Sequence, residues 1–315
     1  MDSTQNIKTR LKAVNSVNQI TKAMEVVAAT KMRKAQEVAL NSRPYAFAAL
    51  ELLKKLTGTL PIETTLTVKR PVNHTVLLVV ASDRGLTGAF NTQVFRSASQ
   101  FLAKDEKIIN NLSHRYSIVA VGKKTVGFAA KRNIPVIKNF YGVGDYVTPE
   151  EVKPITDHIA RGFVNGEWDR VVAISTHFRT TLKQDVLIRH VLPVNMEEIK
   201  KTVEEITPEH GRYTNGAETQ KHGQKIGTET QDYLFEPGIA EIVDSLLPHL
   251  ITMQIYHLIL EANASEHSAR RVAMKSASDN ADELSHTLAI NYNKARQSAI
   301  TKEIIEITST QSALT

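Results

Sequence analysis

The sequence contains no cysteine. That absence excludes a disulfide framework, a thiolate metal site and a cysteine nucleophile. No apolar run exceeds the length of Val76 to Ala81, far short of what crosses a bilayer. The N-terminus carries no apolar signal segment, and Asp2 opens what reads as an ordered helix rather than a transit sequence. A cytosolic chain is the resulting expectation, with peripheral attachment to a membrane through a partner left open. Catalytic signatures are missing as well. There is no GxGxxG, no GxxxxGK[ST], no HExxH and no GxSxG. None of the eleven histidines forms a metal-ligand pattern, and solvent-facing or partner-facing histidines are expected. The sequence therefore offers no catalytic, cofactor-binding or metal-binding residue.

Glycine and proline are absent from two long stretches, residues 1–43 and His249 to the C-terminus. A stretch of that length without a breaker predicts one continuous helix. In the C-terminal stretch Ala277, Ala281, Leu284, Leu288, Tyr292, Ala295 and Ala299 recur at steps of three and four, with Ile304 and Ile307 beyond. That spacing makes a narrow seam of coiled-coil type. A helix of about 60 residues is about 90 Å long, more than its own domain can bury, so it needs a partner helix. The N-terminal stretch supplies one, with Ile7, Leu11, Val14, Val17, Met24, Val27, Ala28, Met32, Ala35 and Val38 as seam and a basic opposite face. Residues 1–60 hold 10 Lys and Arg against 4 Asp and Glu, whereas residues 241–315 hold 6 against 9. Opposite sign favours pairing. Since one helix runs into the middle of the chain and the other runs out of it, the pair is antiparallel, a stalk on a compact head. Pro44 is a candidate kink, Tyr45 to Leu56 continues in helical composition, and Gly58 and Pro61 end it.

Between the helices the pattern changes to strands alternating with helices. Thr75–Ala81, Tyr116–Val121, Ile134–Ile137 and Arg170–Ser175 read as strands, and helices are expected near 89–104, 123–132 and 149–165. Phe178 to Leu192 reads as one or two further strands, a hairpin. This alternation predicts a Rossmann-like, mostly parallel sheet. Residues 195–230 are polar and read as a surface insertion. Ile239–Leu247 is expected as a short helix, with Pro248 in the first turn of the long one. The fold class is thus α/β plus a long antiparallel coiled coil. The domains are 1–60, an N-terminal coiled-coil helix; 61–238, the α/β domain; and 239–315, the C-terminal long helix.

The turn Ser82-Asp83-Arg84-Gly85-Leu86-Thr87-Gly88 follows a strand and precedes a helix, where a nucleotide phosphate would bind in a Rossmann-like fold. Without a supporting motif, a plain tight turn accounts for the glycines. The net charge of +6 fits an acidic protein, an anionic membrane or nucleic acid. The basic first helix has no aromatic residue before Tyr45 on which bases could stack. Three classes remain from the residues alone: a shaft or spacer within an assembly, a nucleotide-binding α/β enzyme with a coiled-coil arm, and a nucleic-acid-binding or scaffold coiled coil. Stoichiometric ATP or NAD binding marks the second, and strong salt-sensitive DNA binding the third. Alanine on both helices (Ala28, Ala29, Ala35; Ala262, Ala264, Ala269, Ala273, Ala277, Ala281) predicts a slender rod.

Three groups of motifs carry a resemblance. At the N-terminus they are Ile7-Lys8-x-Arg10-Leu11, Ile20-Thr21-Lys22-Ala23-Met24 and Val27-Ala28-Ala29-x-Lys31-Met32-Arg33-Lys34-Ala35-Gln36. In the middle stands Ser82-Asp83-Arg84-Gly85-Leu86-x-Gly88-x-Phe90-Asn91. Near the end are Ala264-Ser265-Glu266-His267-x-Ala269-Arg270, Ser278-Asp279-Asn280-Ala281 and Tyr292-Asn293-Lys294-Ala295-Arg296-Gln297-x-Ala299-Ile300-Thr301-x-Glu303. Together these resemble the gamma subunit of F-type ATP synthase. The chain departs from that family at Thr87, often Cys there, at Ala89, often Gly, and in the apparent length of 195–230. The resemblance implies a non-catalytic rotor shaft in the F1 sector that couples proton flow through the membrane c-ring to ATP synthesis or hydrolysis on beta and regulates the ATPase. It implies alpha, beta and epsilon subunits and the c-subunit ring as partners, no cofactor, no nucleic acid, and a peripheral place at the cytoplasmic face of a bacterial membrane. By motif, Arg270, Gln297, Thr301, Met24 and Lys22 correspond to collar contacts, and Asp83, Arg84, Gly85 and Gly88 to the central signature turn.

Overall fold

The computed structural model describes residues 4–42, 64–109, 114–195 and 238–314. The expected helix over Tyr45 to Leu56, its stop at Gly58 and Pro61, and the polar segment beyond Asn195 lie outside them. Ten elements are described: α1 (Thr4–Asn41), β1 (His74–Val80), α2 (Phe90–Ile109), β2 (Arg115–Val121), α3 (Lys123–Lys131), β3 (Val136–Phe140), α4 (Pro149–Val164), β4 (Arg170–Phe178), β5 (Gln184–Leu192) and α5 (Ile239–Leu314). The chain divides into two compact units, one of Met1–Ala29 with Arg270–Thr315 and one of Thr30–Ala269. Both divisions fall inside a helix, α1 and α5.

The larger unit is a three-layer α/β structure. Its five-stranded sheet has the order β3-β2-β1-β4-β5. β1, β2, β3 and β4 are parallel, and β5 returns antiparallel to β4 as a hairpin. The strand order reverses at β1, as in Rossmann-like sheets. Near-continuous Val, Ile and Leu in β1, β2 and β4 follow from burial on both faces. Leu77 lies between Ile118 and Val172, and these three side chains meet Val94, Ala98 and Leu102 of α2 and Phe128 and Ala129 of α3. Leu78 lies between Val119 and Ala173, one residue on and therefore on the other face, against Val152, Ile155, Ile159 and Phe163 of α4 and the first half of α5. Burying each such leucine contributes roughly 2–3 kcal/mol. The third strand sits at 136–140 rather than 134–137, because Ile134 belongs to the turn that ends α3 (its N–H donates to Ala129 O). Phe178 completes β4, and β5 begins only at Gln184.

Helix ends in this unit are held by specific groups. Thr148 caps α4 in a capping box: its Oγ1 accepts from Glu151 N–H, and the Glu151 carboxylate accepts from Thr148 N–H at 3.1 Å. Pro149 fits the first turn, whose N–H groups need no helical partner. At the opposite end of the sheet Asp105 of α2 pairs with Arg170 at the start of β4, while Arg170 Nη2 donates to Thr75 Oγ1 at 2.9 Å and Tyr116 OH donates to Asp105 at 3.0 Å. Burial, reinforced by that bond to Asp105, pushes the Tyr116 phenol above its usual range.

α5 is one helix of 76 residues, not a short helix followed by a long one, and Pro248 lies inside it. Proline there removes a backbone donor, but Val243, Leu247, Leu250 and Ile251 are buried on both sides of it and hold the helical path. From Gln254 to Ala262 every residue is buried, so this part of α5 is covered on its whole circumference.

The smaller unit pairs residues 4–29 of α1 with 270–314 of α5. Asn15 bonds Ser285, Asn18 bonds Asp282 and Thr21 bonds Ser278, numbers rising on one helix as they fall on the other, so the pair is antiparallel. The facing positions keep strict three-four steps. On α1 they are Thr4, Ile7, Leu11, Val14, Asn18, Thr21, Glu25 and Ala28, and on α5 Met274, Ser278, Ala281, Ser285, Leu288, Tyr292, Ala295 and Ala299. The expected seam is therefore corrected in five places. Val17, Val27, Leu284, Ile304 and Ile307 are exposed (46% for Leu284, 67% for Ile307), and Asn18, Thr21, Ser278 and Ser285 take up facing positions instead.

Candidate functional site

The signature turn lies at the carboxyl end of β1. Ser82 and Thr87 are buried, and Asn91 in the first turn of α2 ties them together. Ser82 N–H donates to Asn91 Oδ1 (3.1 Å), and Asn91 Nδ2 donates to Ser82 Oγ (2.7 Å) and Thr87 Oγ1 (3.0 Å). Ser82 Oγ in turn donates to Arg84 O (2.6 Å). Gly88 has φ 54°, a left-handed position that suits glycine. Leu86 takes φ 64° and is exposed at the tip.

Asp83 explains why this turn is built as it is. Helix α3 begins after Gly122, which has no side chain to cap it. The carboxylate of Asp83 does so from the neighbouring strand end, its Oδ1 accepting from Lys123 N–H at 2.9 Å. Its Oδ2 accepts from Gly142 N–H, also at 2.9 Å, in the loop after β3. One side chain thus joins the carboxyl ends of β1, β2 and β3, and a negative charge stands at a helix N-terminus where the dipole favours it. Gly122 has φ 88°, and a Cβ there would stand 1.9 Å from Ala81 O, so β1 and α3 approach through this glycine. The turn brings Asp83, Gly85 and Gly88 together as structure, while Arg84 is exposed beside them.

The residues matched to collar contacts are spread over the helical unit. Gln297 and Thr301 are exposed on α5, one turn apart on one face, and Thr301 Oγ1 donates to Gln297 O at 2.9 Å. Thr4 lies fourteen residues before Asn18, and Arg296 fourteen after Asp282, so Gln297 and Thr301 stand where α5 passes the described end of α1. Arg270 is half-buried about 40 Å back along the helix. Lys22 pairs with Asp282 across the seam at 3.0 Å, and Met24 is half-buried beside the seam. Hydrogen bonds from Lys22 and Asn18 hold the Asp282 carboxyl below the usual range.

Two features were not anticipated from sequence. The first is the apolar exterior of the helical unit: Val17, Ile20, Val26 and Val27 on α1, and Val272, Leu284, Ile290, Ile300, Ile304, Ile305 and Ile307 on α5. Counting strict heptads, instead of following apolar residues, would have found it. The second is a node around Asp145 in the larger unit. Its carboxylate bonds Lys31 of α1 and, at 2.7 Å, His267 Nε2 of α5. Burial pushes the Asp145 carboxyl up, but the bonds from Lys31 and His267 outweigh it and leave the group below its usual range. His267 is buried, as are His257 and His177, the last paired with Glu261 at 2.9 Å. These histidines are interior partners rather than solvent-facing groups. Among the described residues no helix is long and apolar enough to cross a membrane.

One unit is an α/β sheet with a doubly used polar turn and the other a pair of antiparallel terminal helices with a partly polar seam, and comparison narrows the class these define. A sequence profile of the ATP synthase family matches residues 3–314. The chain is 36% identical over 317 residues to the ATP synthase gamma chain of Roseiflexus sp. (strain RS-1), covering all of this chain and 99% of that one. It is 34% identical over 316 residues to that of Chlorobaculum tepidum, again covering all of this chain and 99% of that one. The chain belongs to the ATP synthase gamma chain family. The fold is similar to a chain of the Euglena gracilis mitochondrial ATP synthase rotor, with TM-score 0.59, 16% identity and coverage of 94% of this chain and 98% of that one. It is also similar to a chain of the Tetrahymena thermophila mitochondrial ATP synthase central stalk and c-ring, with TM-score 0.56, 21% identity and coverage of 82% and 99%.

Proposed function

We propose that this chain is the central rotor shaft of the F1 sector, a non-catalytic subunit that couples proton flow through the c-ring to ATP synthesis or hydrolysis on the beta subunits. The observation that carries the reading is the pairing of full-length family membership with an apolar exterior on a coiled coil whose seam is partly polar. Exposed Val, Leu and Ile outside a seam suit a surface that meets other proteins. The alpha and beta subunits form the collar around it, with Arg270, Gln297, Thr301, Met24 and Lys22 as contacts. The epsilon subunit and the c-ring are its other partners, and nucleic acid is not one. The chain has its place at the cytoplasmic face of a bacterial membrane, attached through the complex, and it regulates the ATPase.

The test is reconstitution with alpha and beta subunits. ATP hydrolysis by the collar rises when the chain is added and depends on its helical unit. Equal turnover with and without the chain removes the coupling role.

A further inference from the structure

Away from the turn and the helical unit, the larger unit has a cavity of about 350 Å³ between β3 and α4. Lys138 enters it from β3, His158 and Arg161 from α4, and Asn165, Glu167 and Trp168 from the connection to β4. The wall is built. Gly162 lies against the Trp168 ring, which a Cβ would meet at 2.0 Å, so glycine is required here in the last turn of α4. Trp168 Nε1 donates to Ile159 O at 3.0 Å and fixes the ring. His158 Nε2 is buried and has no hydrogen-bond partner among the described residues. A buried polar atom left unpaired is costly, and natural structures seldom keep one without a use.

We propose that this cavity binds a small phosphate monoester, with Lys138, Arg161 and the His158 Nε2–H as its donors. Arg161 Nε donates to Asp157 O at 3.1 Å, which steadies the guanidinium. A guanidinium, an ammonium and an imidazole N–H together match the oxygens of one phosphoryl group. Glu167 shares the rim, and Asn165 Nδ2 donates to its carboxylate at 3.4 Å. Two cations against one carboxylate suit a single phosphoryl head rather than a polyphosphate. The volume lies at the lower end of small-molecule sites and leaves room for a short organic tail. Burial and the charges of Lys138 and Arg161 hold the imidazole below its usual range, against the pull of Glu167. An anion bound beside it reverses that balance.

Trp168 is the only tryptophan in the chain, so its fluorescence reports this cavity alone. Glycerol 3-phosphate and inorganic phosphate are titrated into the full-length chain at constant ionic strength, with ATP and phosphatidic acid vesicles as further arms. The expected result is a saturable change with glycerol 3-phosphate, at least as tight as inorganic phosphate. Its midpoint moves at least about tenfold higher in Lys138→Ala, Arg161→Ala and His158→Leu, and stays in place in His158→Gln and in the distant Lys131→Ala, in line with the strength of charge-assisted bonds. Lys138 and Arg161 are exposed, so these substitutions leave the fold intact. A response linear in concentration, a midpoint unmoved in both cation variants, tighter binding of ATP, or a response to vesicles alone overturns the proposal.

Discussion

The two units use polar groups in opposite places. In the α/β unit the interior is apolar on both faces of the sheet, and several of the polar groups there work in pairs, such as Arg170 with Asp105 and His177 with Glu261. In the helical unit the interior mixes Ile7, Met274 and Leu288 with Asn18, Thr21, Ser278 and Ser285, while further Val, Leu and Ile lie outside. The first arrangement derives stability from burial. The second gives up burial for register, since a polar group at a seam position accepts few alternative partners. The difference implies that the sheet holds its shape by its own core, whereas the helical pair leaves much apolar surface exposed.

Five changes break or sharpen that contrast. Leu78→Ala empties a wholly buried site between Val119 and Ala173 and costs about 3–5 kcal/mol, read from urea unfolding of the chain. Ala281→Pro removes a ladder bond in the helical unit at about 3 kcal/mol or more, read as lost helical circular dichroism, and ATPase coupling goes with it. Ser278→Ala leaves Thr21 without its 2.7 Å partner at the seam and costs about 1–3 kcal/mol, whereas the double change with Thr21→Val recovers most of the loss. A cycle without such coupling would show the seam bond to be incidental.

The fourth change concerns acid. The folded Asp145 carboxyl lies below its unfolded value, so in the window between the two the unfolded chain binds more protons. The stability Asp145 contributes is complete above the ordinary carboxylate range and is lost as pH falls through the folded value. Asp145→Asn flattens that acid limb in pH-dependent urea midpoints and leaves its slope above the carboxylate range unchanged. The smallest effect on stability comes from Leu284→Ser, within about 0.5 kcal/mol because the side chain is half exposed already. ATP hydrolysis by the reconstituted complex is nevertheless expected to change. If it does not, the apolar exterior at that position has no partner.

The sheet was legible because β-branched runs, turns and helices alternate at short range, and the burial of β1, β2 and β4 on both faces leaves an unmistakable apolar block. The terminal helices were legible from the absence of glycine and proline. Their seam was less so. Leu284 and Val17 look like seam residues by type, yet Ser285 and Asn18 hold those positions, because these helices carry apolar residues on more than one face. Pro248 misled for a different reason: local propensity predicts a boundary, and packing around Val243, Leu247 and Ile251 overrides it. The capping role of Asp83 was out of reach, since Lys123 and Gly142 lie 40 and 59 residues away in sequence.

The nine residues from Gln254 to Ala262 have a mechanical consequence. A helix covered on one side can roll about its own axis by exchanging one set of neighbours for another. This one is covered for two and a half turns, with His177 locked to Glu261 and Ser42 within 3.4 Å of His257 on other flanks. Any rotation about the axis would tear buried contacts in every direction at once. The sheet and this segment therefore behave as a splined joint, and a twist applied to α5 within the larger unit is borne by the whole of that unit rather than by slippage of the helix in its seat.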